Sequence, residues 1–147
     1  MTIKNILEYP NLGLRINAKP VKKFNNSIKK IIKDMKDTLY NSSGIGLAAT
    51  QINIHKQIII IDITNNKNNL LIFINPIIIK KSKKNKINKE GCLSIPKIYK
   101  NISRISKIKI QFQNIFGKIF IFKIKGILSF CIQHEIDHLN GKLIIDY

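Results

Sequence analysis

Between Asn25 and Asn41 the apolar residues Ile28, Ile31, Ile32, Met35 and Leu39 recur three and four positions apart, with lysines and aspartates between them. That period predicts an amphipathic helix over 26–41, capped by Asn25, Asn26 or Ser27 and broken by Asn41-Ser42-Ser43-Gly44. Farther on the period shortens. Lys56 to Ile63 reads as a strand whose apolar centre is buried on both faces, and Leu70 to Asn75 as a second strand across the polar turn Thr64 to Asn69. Lys107 to Gln113 and Lys118 to Lys125 alternate apolar and polar residues around Asn114 to Gly117, which makes them a hairpin. A last helix is expected from Gly126 to Leu139, ended by Asn140-Gly141. Helix, several mostly antiparallel strands, then helix is the order of an α+β fold.

The chain has 147 residues, 44% of them hydrophobic. That is enough to bury a core, so one domain over 1–147 is expected and disorder is excluded. No apolar run approaches the roughly 20 residues a membrane span needs. Met1 to Glu8 has neither an apolar signal core nor an Arg/Ser-rich transit pattern. A soluble protein of the cytoplasm, with no membrane partner, is the expectation.

The formal charge of +18 invites a nucleic-acid reading, but its make-up weakens that reading. There are 35 Ile, 24 Lys and 17 Asn against one Val, two Arg (Arg15 and Arg104) and no Trp. This is the bias of a very AT-rich genome. Specific nucleic-acid sites lean on arginine forks and stacking aromatics, so no specific DNA partner is expected. The lysines read as scattered over a solvated surface, with one cluster at Lys80, Lys81, Lys83, Lys84 and Lys86. Nonspecific attraction to RNA-rich assemblies is the lesser reading. Two cysteines, Cys92 and Cys131, cannot build a disulfide framework and suit a reducing compartment.

Candidate chemistry sits in three segments. His134-Glu135-Ile136-Asp137-His138 has the spacing HExxH, which a chain of this composition produces by chance about once in a thousand. On a helix the two imidazoles share one face and can grip a divalent ion, while Glu135 stays off the metal but within reach of its water. A third ligand is needed. Ile144 stands where an extended HExxHxxGxxH motif would place a histidine, and Asp146 is the sole acidic residue after His138. The candidates are therefore upstream: His55, Cys92 and Cys131. Cys131 reads as a small core residue, and His55 as an exposed residue at a strand entry. Cys92, in Glu90-Gly91-Cys92-Leu93-Ser94-Ile95-Pro96, sits at a loop-to-strand junction, and its thiolate suits Fe(II) or Zn(II). The third segment, Gly44-Ile45-Gly46-Leu47-Ala48-Ala49-Thr50-Gln51, lets backbone approach a ligand closely and offers the Gln51 amide as a neutral donor. It lacks the Gly-Lys-Ser/Thr end of a P-loop.

In order, GIGLAATQ at 44–51, EGCLSIP at 90–96 and QHEIDHLNG at 133–141 resemble the three signature motifs of the peptide deformylases. The resemblance extends to Tyr9-Pro10, Leu14-Arg15, Ala18 to Val21 and Ile74-Asn75-Pro76. It implies an α+β domain in which antiparallel sheets surround the HExxH helix. It further implies a metal held by Cys92, His134 and His138, typically Fe(II), with Zn(II), Ni(II) or Co(II) as substitutes. Glu135 would be the catalytic acid/base, the Gln51 side chain and Leu93 amide would stabilise an oxyanion, and the Ile45–Gly46 backbone would hold substrate. The implied reaction removes formyl from N-formylmethionyl nascent peptides and releases formate. Bacterial members commonly continue into a C-terminal helix associated with ribosome binding, so for this shorter form only a weak, electrostatic ribosome contact is expected. Ile127, Phe130 and Cys131 are the expected walls of a methionine pocket, and Tyr99 or lysines are expected to take the place of arginine contacts to the peptide. The competing classes are another HExxH peptidase and a basic RNA-binding module without catalysis.

Overall fold

Four consecutive isoleucines, Ile58 to Ile61, have no solvent exposure at all. In a strand their side chains alternate, so this run must find an apolar layer on each side. In the structure, a computed structural model describing residues 1–64 and 66–147, it does. Ile58 and Ile60 face a cluster built on Ile28, Ile32, Met35 and Leu39, whereas Ile59 and Ile61 face one built on Ile110, Phe112, Ile132 and Leu139.

The first cluster belongs to α1 (Asn26–Tyr40), whose start is capped by the Asn25 side chain accepting from the Ile28 amide. The second belongs to α2 (Ile127–Leu139). Between the helices lies a five-stranded antiparallel sheet in the order β1 (Gly46–Ala48), β2 (Ile58–Ile61), β3 (Leu71–Lys81), β6 (Lys107–Gln113), β7 (Ile119–Lys125). A separate hairpin, β4 (Asn85–Cys92) and β5 (Ile95–Ile105), packs against the other flank of α2. Antiparallel sheets thus flank the HExxH helix on both sides, the α+β arrangement expected.

Several elements differ from the sequence reading. β3 runs on to Lys81, well past the expected end at Asn75, because the Asn75 side chain bonds the Val21 N–H and C=O (2.8 Å each) across a positive φ of 51° and the strand resumes beyond it. The hairpin β4–β5 was not expected as strands. Its lysines and asparagines mask any alternation, and its pairing partner lies one tight turn away at Leu93-Ser94. Gly46–Ala48 forms a short edge strand. Ile127 is 62% exposed and Leu128 is half-buried, so the buried face of α2 begins at Ser129. The turn expected at Thr64 to Asn69 includes Asn65, which lies outside the described residues.

Asp62 fastens the end of β2 to α1. It accepts from the Thr64 hydroxyl at 2.5 Å, Tyr40 Oη at 2.6 Å, and the Thr64 and Asn69 amides. The Thr64 and Tyr40 hydroxyls hold its carboxyl at about 2, below the ordinary 3.8.

Two expectations follow from this frame. Ile60→Ala should cost about 2–5 kcal/mol in urea unfolding and Ile60→Val only about 0.5–1.5, because the site is closed on both sides and cannot collapse. A loss below about 1 kcal/mol for the alanine would show that α1 settles into the gap. The depressed carboxyl of Asp62 stabilises the fold above the ordinary carboxylate range, and that contribution is lost as pH falls through about 2. Asp62→Asn should therefore flatten the acid limb of stability against pH. An unchanged acid limb would exclude the assignment.

Candidate active site

α2 brings an imidazole, a carboxylate and a second imidazole into the interior within five residues. Glu135 is 5% exposed and His138 1% exposed, so each needs a partner or a function. The helical rise sets the His134 and His138 rings 5.0 Å apart at 69°. The end of β4 delivers Cys92 against them, with its Sγ 3.2 Å from His138 Nε2. One donor atom from each of Cys92, His134 and His138 lies within 4.8 Å of the others.

The donor set fits a divalent ion. Glu90, on β4 two residues before Cys92, accepts from His134 Nδ1 at 2.9 Å. A carboxylate only accepts, so Nδ1 carries the proton and Nε2 is turned towards the cluster. Burial opposes the charge on Glu90, but Arg104, His134 and Asn88 outweigh it and hold its carboxyl at about 2. Burial drives the His138 imidazole well below its ordinary value, aided by the charges of His134 and Arg104, which leaves it neutral as a ligand must be. Burial also opposes a charge on His134, yet its hydrogen bonds to Cys92 and Glu90 raise it to about 10.

Gln51 comes from the 3-10 turn Ala49–Ile52 that follows β1. Its Oε1 accepts from the Ala48 amide at 2.9 Å, which aims Nε2 at Ser94 Oγ (3.1 Å) and Cys92 Sγ (3.8 Å). Leu93 sits in the tight turn between β4 and β5. Gly44 is where it must be small, since a Cβ there would meet the Leu93 side chain at 2.7 Å. A Cβ on Gly46 would meet Glu135 Oε1 at 2.6 Å, so this glycine lets the carboxylate reach the strand edge. Glu135 Oε2 has no partner among the described residues. Burial pushes the Glu135 carboxyl up to about 7, partly offset by His134.

β1 is an edge strand. The Asp62 amide donates to Ile45 O at 2.7 Å, so by antiparallel alternation the N–H and C=O of Gly46 point away from β2 to the open side. A cavity of about 570 Å³ opens there, reaching Gly46, Cys92, Glu135, Ile127, Phe130 and Cys131, with Tyr99 at its rim.

Of the three candidates for the third ligand, the structure brings Cys92 to the histidines. His55 is instead bonded to Gly13 O at 3.0 Å, and Asp146 is taken by Arg15. Burial, with the charges of Glu135 and Glu90, pushes the Cys131 thiol up to about 12, and it lines the cavity without joining the cluster. Sequence reasoning missed the network behind His134. Arg104 (3% exposed) makes a two-pronged pair with Glu90 at 2.7 and 2.8 Å, then reaches Asp137 at 2.8 Å and Tyr147 Oη at 2.9 Å. The signal was present: in a chain with 24 lysines, both arginines make forked contacts to carboxylates, Arg15 with Asp146 and Arg104 with Glu90.

Comparisons with known proteins agree with this geometry. The family model described as Polypeptide deformylase matches residues 3–147. A peptide deformylase of Buchnera aphidicola subsp. Cinara cedri is 55% identical over 147 residues, covering 100% of this chain and 99% of the relative. One from Wigglesworthia glossinidia brevipalpis is 50% identical, covering 100% and 96%. Among solved structures, the peptide deformylase of Thermotoga maritima superposes with a TM-score of 0.95 at 38% identity, covering 99% of this chain and 97% of that one. That of Legionella pneumophila gives 0.94 at 41%, covering 99% and 85%. The chain belongs to the polypeptide deformylase family.

Proposed function

We propose that the protein removes the formyl group from the N-terminal methionine of newly made polypeptides, a metal-dependent amide hydrolysis. The observation that carries this reading is the convergence of Cys92, His134 and His138 beside a buried Glu135, whose Oε2 has no partner among the described residues, at the open edge of β1. Neither a general HExxH peptidase nor a non-catalytic RNA-binding module is favoured once the family is known.

Cys92, His134 and His138 would hold one divalent ion, with Fe(II) the first choice and Zn(II), Ni(II) or Co(II) able to replace it. When bound, such an ion supplies Lewis acidity that brings the pKa of water from 15.7 to about 7. The chain's own residues do the rest. An extended peptide adds to the free edge of β1 through the Gly46 backbone groups, in the manner of an extra strand. Its methionine side chain enters the apolar part of the cavity at Ile127, Phe130 and Cys131. Water adds to the formyl carbon while Glu135 takes its proton. Gln51 Nε2 and the Leu93 amide donate to the formyl oxygen as it gains charge, and each such donor is worth about 10²–10³ in rate. Glu135 then passes the proton to the leaving nitrogen as the C–N bond breaks, freeing formate and the amine. We further propose that residues 1–147 act as one catalytic domain, that it works in the cytoplasm, and that any ribosome contact is electrostatic. Among the described residues no helix is long and apolar enough to cross a membrane.

Glu135→Gln should keep its bound metal, measured by elemental analysis, while formate release from a formyl-Met peptide falls by at least about 10²-fold. Loss of the metal would make Glu135 a ligand instead. Cys92→Ser should lose or loosen the metal, because a neutral hydroxyl is a far poorer ligand than a thiolate. Cys131→Ser should retain it and change stability only modestly. If the two cysteine phenotypes were exchanged, the ligand set would be wrong.

A further inference from the structure

The lysines that look scattered along the chain are gathered by the sheet. Lys80 of β3 pairs with Lys109 of β6, Lys109 pairs with Lys123 of β7, and Lys107 pairs with Lys125. Residues paired across antiparallel strands share a face with Cβ atoms about 4.5–5.5 Å apart, and neighbours two along a strand are about 7 Å apart. Five ammonium-bearing side chains therefore rise from a few strand widths of one face. α2 and the buried Ile108, Ile110 and Phe112 occupy the opposite face. Like charges placed directly opposite one another oppose the pairing of the strands that carry them. Nothing in the chain relieves them: from 63 to 134 the only carboxylate is Glu90, which Arg104 already holds. Among the described residues none of the five makes an ion pair.

A shallow groove of about 520 Å³ is lined by these lysines together with Lys81, Ser82, Ile108 and Ile124. We propose that this face is a docking surface for the phosphate backbone of RNA. A groove walled by point charges is complementary to a strand of phosphates. Lysines without arginine forks, and without an aromatic at the paired outward positions Gln111, Ile119 and Ile121, neutralise phosphate and read no base. β7 leads directly into Ile127 at the cavity. Resting on the deformylase reading, RNA held here would keep the cavity beside a nascent chain, since such chains emerge next to ribosomal RNA.

The test compares two triple variants of equal charge change. One is Lys109→Gln, Lys123→Gln and Lys125→Gln; the other, on and before α1, is Lys22→Gln, Lys33→Gln and Lys36→Gln. Each is titrated with a short fluorescein-labelled single-stranded RNA across a salt series, beside formate release from a formyl-Met peptide and a melting curve. The sheet triple should weaken RNA binding by about tenfold or more and lower the slope of log affinity against log salt by about two. The α1 triple should change affinity by less than about twofold. Both should release formate as the parent does, and the sheet triple should melt no lower than the parent because its like-charge pairs are gone. Equal losses from both triples would show attraction by net charge alone and overturn the proposal. So would tighter binding to phosphatidylglycerol vesicles than to RNA, or a lower melting point showing that the lysine stems pack the sheet. Failure of the parent to release formate would sink the deformylase reading and leave the RNA result to stand by itself.

Discussion

A helix that carries two imidazoles and a carboxylate into a protein interior is unstable there unless every one of those groups is answered. This constraint organises the structure around α2. His134 is answered by Glu90, Glu90 by the forked guanidinium of Arg104, and Arg104 in turn by Asp137 one helical turn beyond His134. The chain of charges closes on the helix from which it began. Breaking such a buried pair by removing one partner leaves a bare charge in low dielectric, a cost typically of about 3–5 kcal/mol. The β4–β5 hairpin is held to α2 by this network and by Gln133, which bonds both the N–H and the C=O of Ile105. Cys92 and Leu93 ride on the same hairpin, so the groups beside His138 are placed by the contacts that neutralise the helix.

Two atoms stay outside this accounting. His138 Nδ1 and Glu135 Oε2 are buried without partners among the described residues. Burial acts on both: it drives His138 towards its neutral form, which carries no charge to solvate, and it pushes the Glu135 carboxyl up to about 7.

The sequence made the helices and the β6–β7 hairpin readable because their apolar periods were intact, at Ile28 to Leu39 and Lys107 to Lys125. The ligand triad was readable only in part. Spacing alone named His134 and His138, since i and i+4 on a helix is a local relation. Cys92 joins them through the tertiary packing of a hairpin, a relation that spacing along the chain does not carry. β4 and β5 stayed hidden because a strand rich in Lys and Asn shows no alternation, whatever it pairs with. The network of Arg104 and Asp137 stayed hidden because ion pairs across 33 positions leave no trace in local pattern. What did leave a trace was residue choice. Where lysine has displaced almost every arginine, an arginine marks a place that a point charge cannot fill.

β2 has a consequence for how the molecule comes apart. Its four isoleucines are shared between the layer beneath α1 and the layer beneath α2, two in each. Neither layer can melt and leave the other intact, because the strand that would have to move is a wall of both. The two halves should therefore unfold as one cooperative unit, with the slowest-exchanging amide protons expected at Ile58 to Ile61, where only opening of the whole fold admits water.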